Sequence, residues 1–430
     1  VGEHGNMLYT ARQIAERLIR YPSTSYHELG VVRSAARFLR QAGITSILDE
    51  YAPSDYGAEA EGKTANLYVM LGHNRPSKTL LLYAHTDVVD APVHLYFPRI
   101  SDGKLYGRGA ADMKGAMAGL LYVLSRDAPE LRRELHDRRR RLLVTFVADE
   151  ERTGTGARRC VEYAYDCLHY HGDLSCILLE PSDNFTQVYT GNRGTYFVQL
   201  DGALSAVMRS VRAITDAKSG LLARYPDKSD GFGPCTLEAT RLSCRSIDLS
   251  EAVLFEGVSC HASTPWLGKN ALETALREHP GAACVVTPEG SSVNVLPAAA
   301  YAAHRVFEEY PCTASFDVRT NIVGNNGLLD AIASLVDPGV RTTHDGSPAY
   351  RVEAPYALSL CKRQRFPVAE AVDSGASDAP HFLRLTPEVI PGFGPGIADL
   401  AHSDNEHISL ATLRRTPHVI RRILRNFLED

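Results

Sequence analysis

The run Leu80-Leu81-Leu82-Tyr83-Ala84-His85-Thr86-Asp87 carries the reading that decides the fold. Its first five residues are apolar without alternation, which marks a strand buried on both faces, and such strands belong to mainly parallel sheets covered by helices. His85 and Asp87 follow at the carboxyl end of that strand, the end at which open α/β sheets bind ligands. Residues two apart in an extended chain point the same way, so a carboxylate stands beside an imidazole. That pairing fixes the tautomer and raises the basicity of a metal-bound histidine. A hydrogen-bonded core pair would look the same in a chain with 16 histidines, so the motif alone leaves both readings open.

Working outward, Leu67–Leu71, Leu142–Val147 and Ile177–Leu179 are further short apolar runs. Helical spacing fills residues 8–43, broken by turn chemistry at Tyr21–Ser25, and returns at Met113–Leu124. Strands alternating with helices predict an α/β domain with a mainly parallel sheet. From Gly194 to Arg319 the pattern changes to amphipathic strands (Tyr196–Leu200, Thr236–Leu242, Val253–Phe255, Tyr301–Phe307, Ala314–Val318) around helices near Leu204–Ile214 and Asn270–Arg277. The α/β character resumes with helices at Leu328–Val336 and Leu410–Leu428. A chain of 430 residues exceeds what one core organises. The expected organisation is one domain in two parts, 1–193 and 323–430, with a smaller α+β domain, 194–322, inserted.

Composition removes several classes of function. Hydrophobic residues at 44% and charged residues at 23% are globular values. The net charge of −5 gives no general pull toward nucleic acid. The basic cluster Arg138–Arg141 reads as a solvated loop before a strand. Nine cysteines, none paired as C-x-x-C, indicate neither a disulfide framework nor a thiolate zinc site and suit a reducing compartment. With no apolar run near the ~20 residues that cross a bilayer and no signal-peptide pattern at the N-terminus, the expectation is a cytoplasmic protein without membrane contact.

One motif misleads. Gly57-Ala58-Glu59-Ala60-Glu61-Gly62-Lys63-Thr64 satisfies the phosphate-loop pattern, but it follows a polar stretch and runs into a strand-like segment, and it puts two glutamates where phosphates would sit. The informative residues are carboxylates at strand and loop ends: Asp112 within Gly107–Gly115, Asp149-Glu150-Glu151 after Leu142–Val147, and Glu180 after Ile177–Leu179. Taken singly, Asp112 could be a helix N-cap. Together, crowded carboxylates raise one another's free energy unless cations neutralise them. Asp112, Glu151 and Glu180 with His85 and a later histidine carry −3, which two divalent ions convert to +1. Mixed imidazole and carboxylate ligation suits zinc, with cobalt or manganese as substitutes.

His85-Thr86-Asp87-Val88-Val89, Gly107–Gly115, Asp149-Glu150-Glu151 and the distal Ala401-His402-Ser403 resemble, in order along nearly the whole chain, the co-catalytic zinc amidohydrolase family. That family includes acetylornithine deacetylase, succinyl-diaminopimelate desuccinylase, aminoacylase, carboxypeptidase G and related dipeptidases. The resemblance implies a zinc-peptidase-like three-layer catalytic domain and a ferredoxin-like lid. It implies that His85 and Glu180 bind one zinc, Glu151 and His402 the other, and that Asp112 bridges them. Asp87 would orient His85, and Glu150 would be the general base. Neighbours at a strand end point apart, which fits one ligand and one non-ligand in the Glu150-Glu151 pair, but which is which comes from the resemblance. Gly257–Asn270 resembles the lid segment whose histidine, here His261, reaches the developing oxyanion, often from the partner of a dimer. Asn294 and Arg319 match positions that hold the substrate carboxylate, and Gly394 and Gly396, in the Gly-Pro loop after Val389-Ile390, are assigned to substrate binding with them.

Two departures stand out. His261 lies 68 residues after Arg193 and 33 before Asn294, a spacing unlike the family's, so the lid is expected to be reordered or rebuilt. Pro380 stands where several members carry an arginine, which argues against a succinyl-type substrate. The expectation is a two-metal hydrolase cleaving an amide bond beside a free carboxylate in a small molecule or short peptide, with homodimerisation through the lid. Peptidase and N-deacylase activities are not separated, and the other class of reading is a non-catalytic metal- or peptide-binding homologue.

Overall fold

The computed structural model describes residues 9–58, 60–166, 173–225, 235–244, 253–256, 270–278, 283–286, 292–296, 311–321, 327–373 and 375–430. The chain divides into two compact units, one built from 1–191, 352–371 and 377–430 and the other from 192–351 and 372–376.

In the first unit, helices α1 (Ala11–Ile19) and α2 (Leu29–Gln41) open the chain. Thr10 caps α1 in a reciprocal box with Gln13, satisfying donors that a helix start leaves unpaired, and the buried stripe Ile14, Leu18 and Ile19 turns it onto the core. Strands β1 (Ile47–Tyr51), β2 (Thr64–Gly72), β3 (Lys78–His85), β4 (Arg140–Val147) and β5 (Asp173–Leu178) form a sheet in the order β1-β2-β4-β3-β5, completed at one edge by Val389–Ile390. β3 lies parallel to β4 and β5, and Val389–Ile390 parallel to β5, whereas β2 pairs antiparallel with β1 and β4. The carboxyl ends of β3, β4 and β5 therefore lie together. Helix α3 (Lys114–Asp137) crosses from β3 to β4, and α4 (Thr155–Asp166) follows β4. Gly119 of α3 packs on Thr416 of the C-terminal helix Leu410–Glu429, and a Cβ there would collide with that side chain.

The phosphate-loop decoy is resolved as expected, since Thr64 opens a strand and no helix follows. The arginine cluster differs from its reading. Arg140 and Arg141 are buried at the start of β4, and Arg141 donates to the carbonyls of His73 and Asn74 while Arg140 lies over the Phe427 ring. Long guanidinium stems cover apolar surface while their heads satisfy carbonyls, so a basic run can begin a buried strand.

In the second unit, β6 (Gly194–Ala203), β7 (Thr236–Cys244), β8 (Pro311–Thr320) and β9 (Arg341–Ser347) form an antiparallel sheet in the order β7-β8-β6-β9. Helix α5 (Leu204–Leu222) joins β6 to β7, and α6 (Gly327–Ala333) lies between β8 and β9. Two β-α-β halves in this order are the ferredoxin-like arrangement, with a core of Val198, Leu200, Val207, Val211, Ile214, Phe316 and Leu328. Segment 323–351, which the sequence pattern groups with the first domain, contributes α6 and β9 here because β9 makes a seven-residue ladder with β6. Cys244 stands opposite Cys312. Between them in sequence, the described residues form a small sheet of Val253–Glu256, Ser292–Leu296 and Ala283–Val286 with helix Ala271–Glu278. The expected strand Tyr301–Phe307 lies outside the described residues. Among the described residues, no helix is long and apolar enough to cross a membrane.

Candidate metal centre

His85 ends β3, Asp112 precedes α3, Glu150 and Glu151 follow β4, Glu180 follows β5, and His402 lies before the C-terminal helix. Parallel packing of β3 between β4 and β5 brings the first of these strand ends together. The imidazole Nε2 of His85 lies 2.9 Å from Asp112 Oδ1 and 3.8 Å from Glu180 Oε2. His402 Nε2 lies 2.8 Å from Glu151 Oε2 and 3.4 Å from Asp112 Oδ2. Two sets of donor atoms, His85/Asp112/Glu180 and Asp112/Glu151/His402, are each contained within 4.8 Å, and they share Asp112 through its two oxygens. A third grouping, His85/Glu150/Glu151, meets the same distance limit.

Asp112 is not a helix cap. The cap residue of α3 is Met113, with no side-chain cap bond, and both Asp112 oxygens face imidazoles. The electrostatics follow from the crowding. Burial pulls the imidazole of His85 down, but Glu180, Asp112 and Asp87 outweigh it and raise its pKa well above the usual value. His402 is raised to about 10 against the same burial by Glu151 and Asp112. Burial alone would raise Asp112, yet His402 and His85 hold it well below the carboxylate range. Burial, then the Glu180 carboxylate, push Glu150 well above 4.5 against the opposing pull of His85. Protons on the two imidazoles supply the positive charge that three carboxylates require. Divalent cations supply it better, with nitrogen and oxygen donors already gathered, so the donor set fits a pair of such ions.

Asp87 does more than stand beside His85. It is fully buried, its Oδ1 lies 3.4 Å from His85 Nδ1, and the two oxygens accept the backbone N–H groups of Glu150 (3.1 Å) and Glu151 (3.0 Å) and the Ser25 hydroxyl (2.8 Å). His85 Nδ1 also contacts the Asp87 carbonyl at 3.1 Å. Glu28, buried and pushed up to about 8 by burial and then by Asp87, accepts the N–H of Asp149 and the Thr64 hydroxyl. Asp149 itself adopts a left-handed φ of 61° and accepts from Thr153 and from both donors of Thr155. The Asp149–Glu151 turn is thus held by three carboxylates, Asp87, Glu28 and Asp149; the sequence pattern gives a task only to Asp87, and a different one, names Asp149 only as part of its motif, and passes over Glu28. Ser25 and Glu28 sit in a turn and at a helix start, where such residues are ordinary, and carry no sequence signal.

Gly394 and Gly396 have a packing reason to be glycine. A Cβ on Gly394 would collide with the carbonyl oxygens of Leu179 and Glu180, and Gly396, at φ +98°, lies 3.0 Å by the same measure from the Ala111 carbonyl. Each therefore backs a segment that carries a donor. In the second unit Arg319 is buried, its fork donating to both oxygens of Asp317 and its Nη1 to Thr195. Asn294 lies within the strand Ser292–Leu296, opposite Leu254 and Val285. His261 lies outside the described residues.

An α/β unit with carboxylates and imidazoles converging at the carboxyl ends of its strands, joined to a ferredoxin-like unit, defines a metallohydrolase architecture. The chain belongs to peptidase family M20/M25/M40, whose pattern matches residues 81–426. It is similar to succinyl-diaminopimelate desuccinylases, at 31% identity over 250 residues for that of Caulobacter sp. (53% of this chain, 59% of that protein) and 34% over 150 residues for that of Variovorax paradoxus (33% and 36%). The matched region thus spans between about a third and three fifths of these relatives' length. Among solved structures it resembles human carnosine dipeptidase 1 (14% identity, TM-score 0.63, 98% of this chain and 96% of that one) and a Staphylococcus aureus tripeptidase (13%, 0.61, 100% of both). A metallo-carboxypeptidase of Sulfolobus solfataricus is also similar (15%, 0.57, 98% and 99%). At such identities these likenesses establish the fold.

Proposed function

We propose that this chain is a metal-dependent hydrolase that cleaves an amide bond beside a free carboxylate, in a short peptide or an N-acyl amino acid. The observation that carries the reading is the pair of donor sets sharing Asp112, with a buried, proton-avid Glu150 next to one ligand. His85, Asp112 and Glu180 would hold one divalent ion, and Asp112, Glu151 and His402 the other. Their nitrogen and oxygen chemistry favours zinc, with cobalt or manganese as substitutes. Such ions, when bound, polarise a substrate carbonyl and acidify water.

Glu150, a buried carboxylate beside the ligand Glu151, would take the proton of the attacking water and pass it to the leaving amine. Asp87 keeps the Nδ1 side of His85 occupied, so that Nε2 faces Asp112 and Glu180. Within this reading the second unit is the lid. His261 stabilises the oxyanion, and Asn294 and Arg319 hold the substrate carboxylate, Arg319 through the donors it does not give to Asp317 and Thr195. A succinyl-type substrate is disfavoured, since Pro380 replaces an arginine suited to a succinyl group. N-deacylation remains the second reading because the curated relatives are desuccinylases. Buried thiols such as Cys160, Cys176 and Cys361 fit a reducing cytoplasm, and dimerisation through the lid is checked by size exclusion.

The test is a hydrolysis screen of zinc-loaded protein against dipeptides and N-acetylated amino acids, with Glu150→Ala beside the wild type. Turnover should vanish in the variant while elemental analysis finds unchanged zinc. Full activity in Glu150→Ala rules out its role as base, and no hydrolysis of any substrate by the loaded wild type supports the non-catalytic class.

A further inference from the structure

Arg108 and Glu406 form a buried ion pair close to the donor sets but outside them, with Arg108 Nη1 2.7 Å from Glu406 Oε2. Burying two charges is costly, and a pair of apolar side chains often stabilises a fold as well. What apolar groups could not do is what this pair does with its remaining atoms. The other oxygen of Glu406, Oε1, accepts the backbone N–H groups of Ala111 (3.0 Å) and Asp112 (3.2 Å). Arg108 donates from Nη1 to the Ser403 carbonyl and from Nη2 to the His402 carbonyl, each at 3.2 Å. The Gly107 N–H adds a bond to the Glu406 carbonyl at 3.1 Å. One guanidinium and one carboxylate therefore tie the backbone at Asp112 to the backbone at His402, two loops 290 residues apart in sequence.

The two donor sets depend on this tie unequally. On the His85 side, Met113 Sδ accepts the His85 N–H at 3.2 Å, Lys114 N–H bonds the Gly109 carbonyl, and Lys114 Nζ donates to the Tyr21 carbonyl at 2.7 Å. The Asp112 segment is thus anchored toward His85 without Arg108 or Glu406. His402 occupies a left-handed φ of 63°, a conformation that a non-glycine residue holds only when its surroundings fix it. Arg108 supplies two of the bonds that do so.

We propose that Arg108 and Glu406 are positioning residues that set the distance between Asp112 and His402, and so govern occupancy of the Asp112/Glu151/His402 cation position while leaving the His85/Asp112/Glu180 position largely independent. This rests on the reading of the two donor sets as a pair of divalent-cation positions. The pair touches neither ion nor substrate; it acts through the backbone of two ligands.

The test is a titration of cation-free protein with zinc against a competing chelator, resolving two binding steps, for the wild type, Arg108→Lys and Glu406→Gln. Arg108→Lys keeps the charge and the contact with Glu406 but loses the fork that reaches both carbonyls. Loss of an outer partner of this kind weakens a metal site roughly 10–100-fold. The expected result is one step unchanged and the other weakened by that factor, with the cation-free Arg108→Lys protein still folded at the temperature of the titration. Cobalt loading provides a second readout, in which the variants should show the absorption of one filled position at concentrations that fill both in the wild type. Equal weakening of both steps, or no weakening of either, overturns the inference, and both would fall as a merely structural pair predicts. If Glu406→Gln fails to fold, Arg108→Lys decides alone. A wild type that takes up no zinc overturns the two-cation reading itself, a result distinct from the failure of the clamp.

Discussion

Replacing Asp87 by asparagine keeps its volume and removes its charge, and the loss can be worked out from its partners. The carboxylate accepts from Glu150 N–H, Glu151 N–H and the Ser25 hydroxyl, and Oδ1 lies 3.4 Å from His85 Nδ1. An asparagine has one acceptor oxygen. Turned toward Glu151 and Ser25, it leaves its NH2 facing the Glu150 N–H, donor against donor; turned the other way, it faces the Glu151 N–H. Either way, a bond to a charged acceptor, worth about 1.5–3 kcal/mol, is lost, and a buried donor is left unsatisfied at about 1–3 kcal/mol. The expected destabilisation is about 2.5–6 kcal/mol at pH 7, measured by urea unfolding. Burial opposes ionisation of Asp87, but its contact with His85 lowers the carboxyl pKa in the fold. Its contribution is therefore complete above the unfolded value of about 3.9 and is lost as pH falls through the lower folded value. Turnover should fall by roughly 10–100-fold, more in kcat than in KM, because the displaced turn carries Glu150 and Glu151. An Asn variant with wild-type unfolding and wild-type turnover would refute the idea that Asp87 staples this turn.

Gly394→Ala should destabilise the first unit by about 3 kcal/mol, because the added methyl meets the backbone carbonyls of Leu179 and Glu180 and only a backbone shift relieves it; a thermal midpoint equal to the wild type contradicts this. Burial lowers His381 to about 4, with its side chain 23% exposed. The unfolded chain then takes up a proton near pH 6.5 that the folded chain refuses until about pH 4, so wild-type stability falls with acidification across that window. His381→Gln should lack this slope, the two curves diverging by about 1.4 kcal/mol per pH unit and by on the order of 3 kcal/mol at the lower end; parallel curves count against it. In cation-free protein at pH 8, His402, raised to about 10, carries a proton that metal ligation must displace, and His85 is shifted in the same direction. Adding zinc should release protons, read by calorimetry in buffers of different ionisation enthalpy; release of none argues against imidazole ligation.

The parts of the fold legible in the sequence are those written in unbroken apolar runs. β3, β4 and β5 are such runs because helices or loops cover both faces, and a strand end then places any His or acid on it at the crevice. The acids Asp112, Glu151 and Glu180 could be read with His85 as one group because each is a donor with no apolar role, whereas His402 among the later histidines, and Glu151 over Glu150, are picked out by the family resemblance alone. β1 was not legible, since as an edge strand with Ile47 and Leu48 exposed it shows neither an apolar run nor a clean alternation. The arginines at the start of β4 misled for a related reason. Charge was taken to mean solvent, whereas the run pairs guanidinium heads with carbonyls and an aromatic face.

The supporting acids were illegible in principle. Glu28 and Glu406 are buried, yet the letter is the same one that marks solvated faces such as Glu130 and Glu429, and each acts on backbone N–H groups more than a hundred positions away. Their burial is decided by tertiary pairing, which no local period encodes. Ligands and their supports consequently differ in how they can be found. A ligand must converge with others of complementary chemistry, and a list of strand ends exposes His85, Glu151 and Glu180, though not Asp112 and His402, which precede helices. A support needs only one loop to hold, and its partner is a peptide group that every residue possesses. The same distinction explains the second unit. β6, β7 and β8 are legible as amphipathic strands, but the sequence pattern groups β9 with the first domain, because its place is set by pairing with β6 and not by its own residues. The register of Cys244 against Cys312 is likewise set by pairing across the sheet.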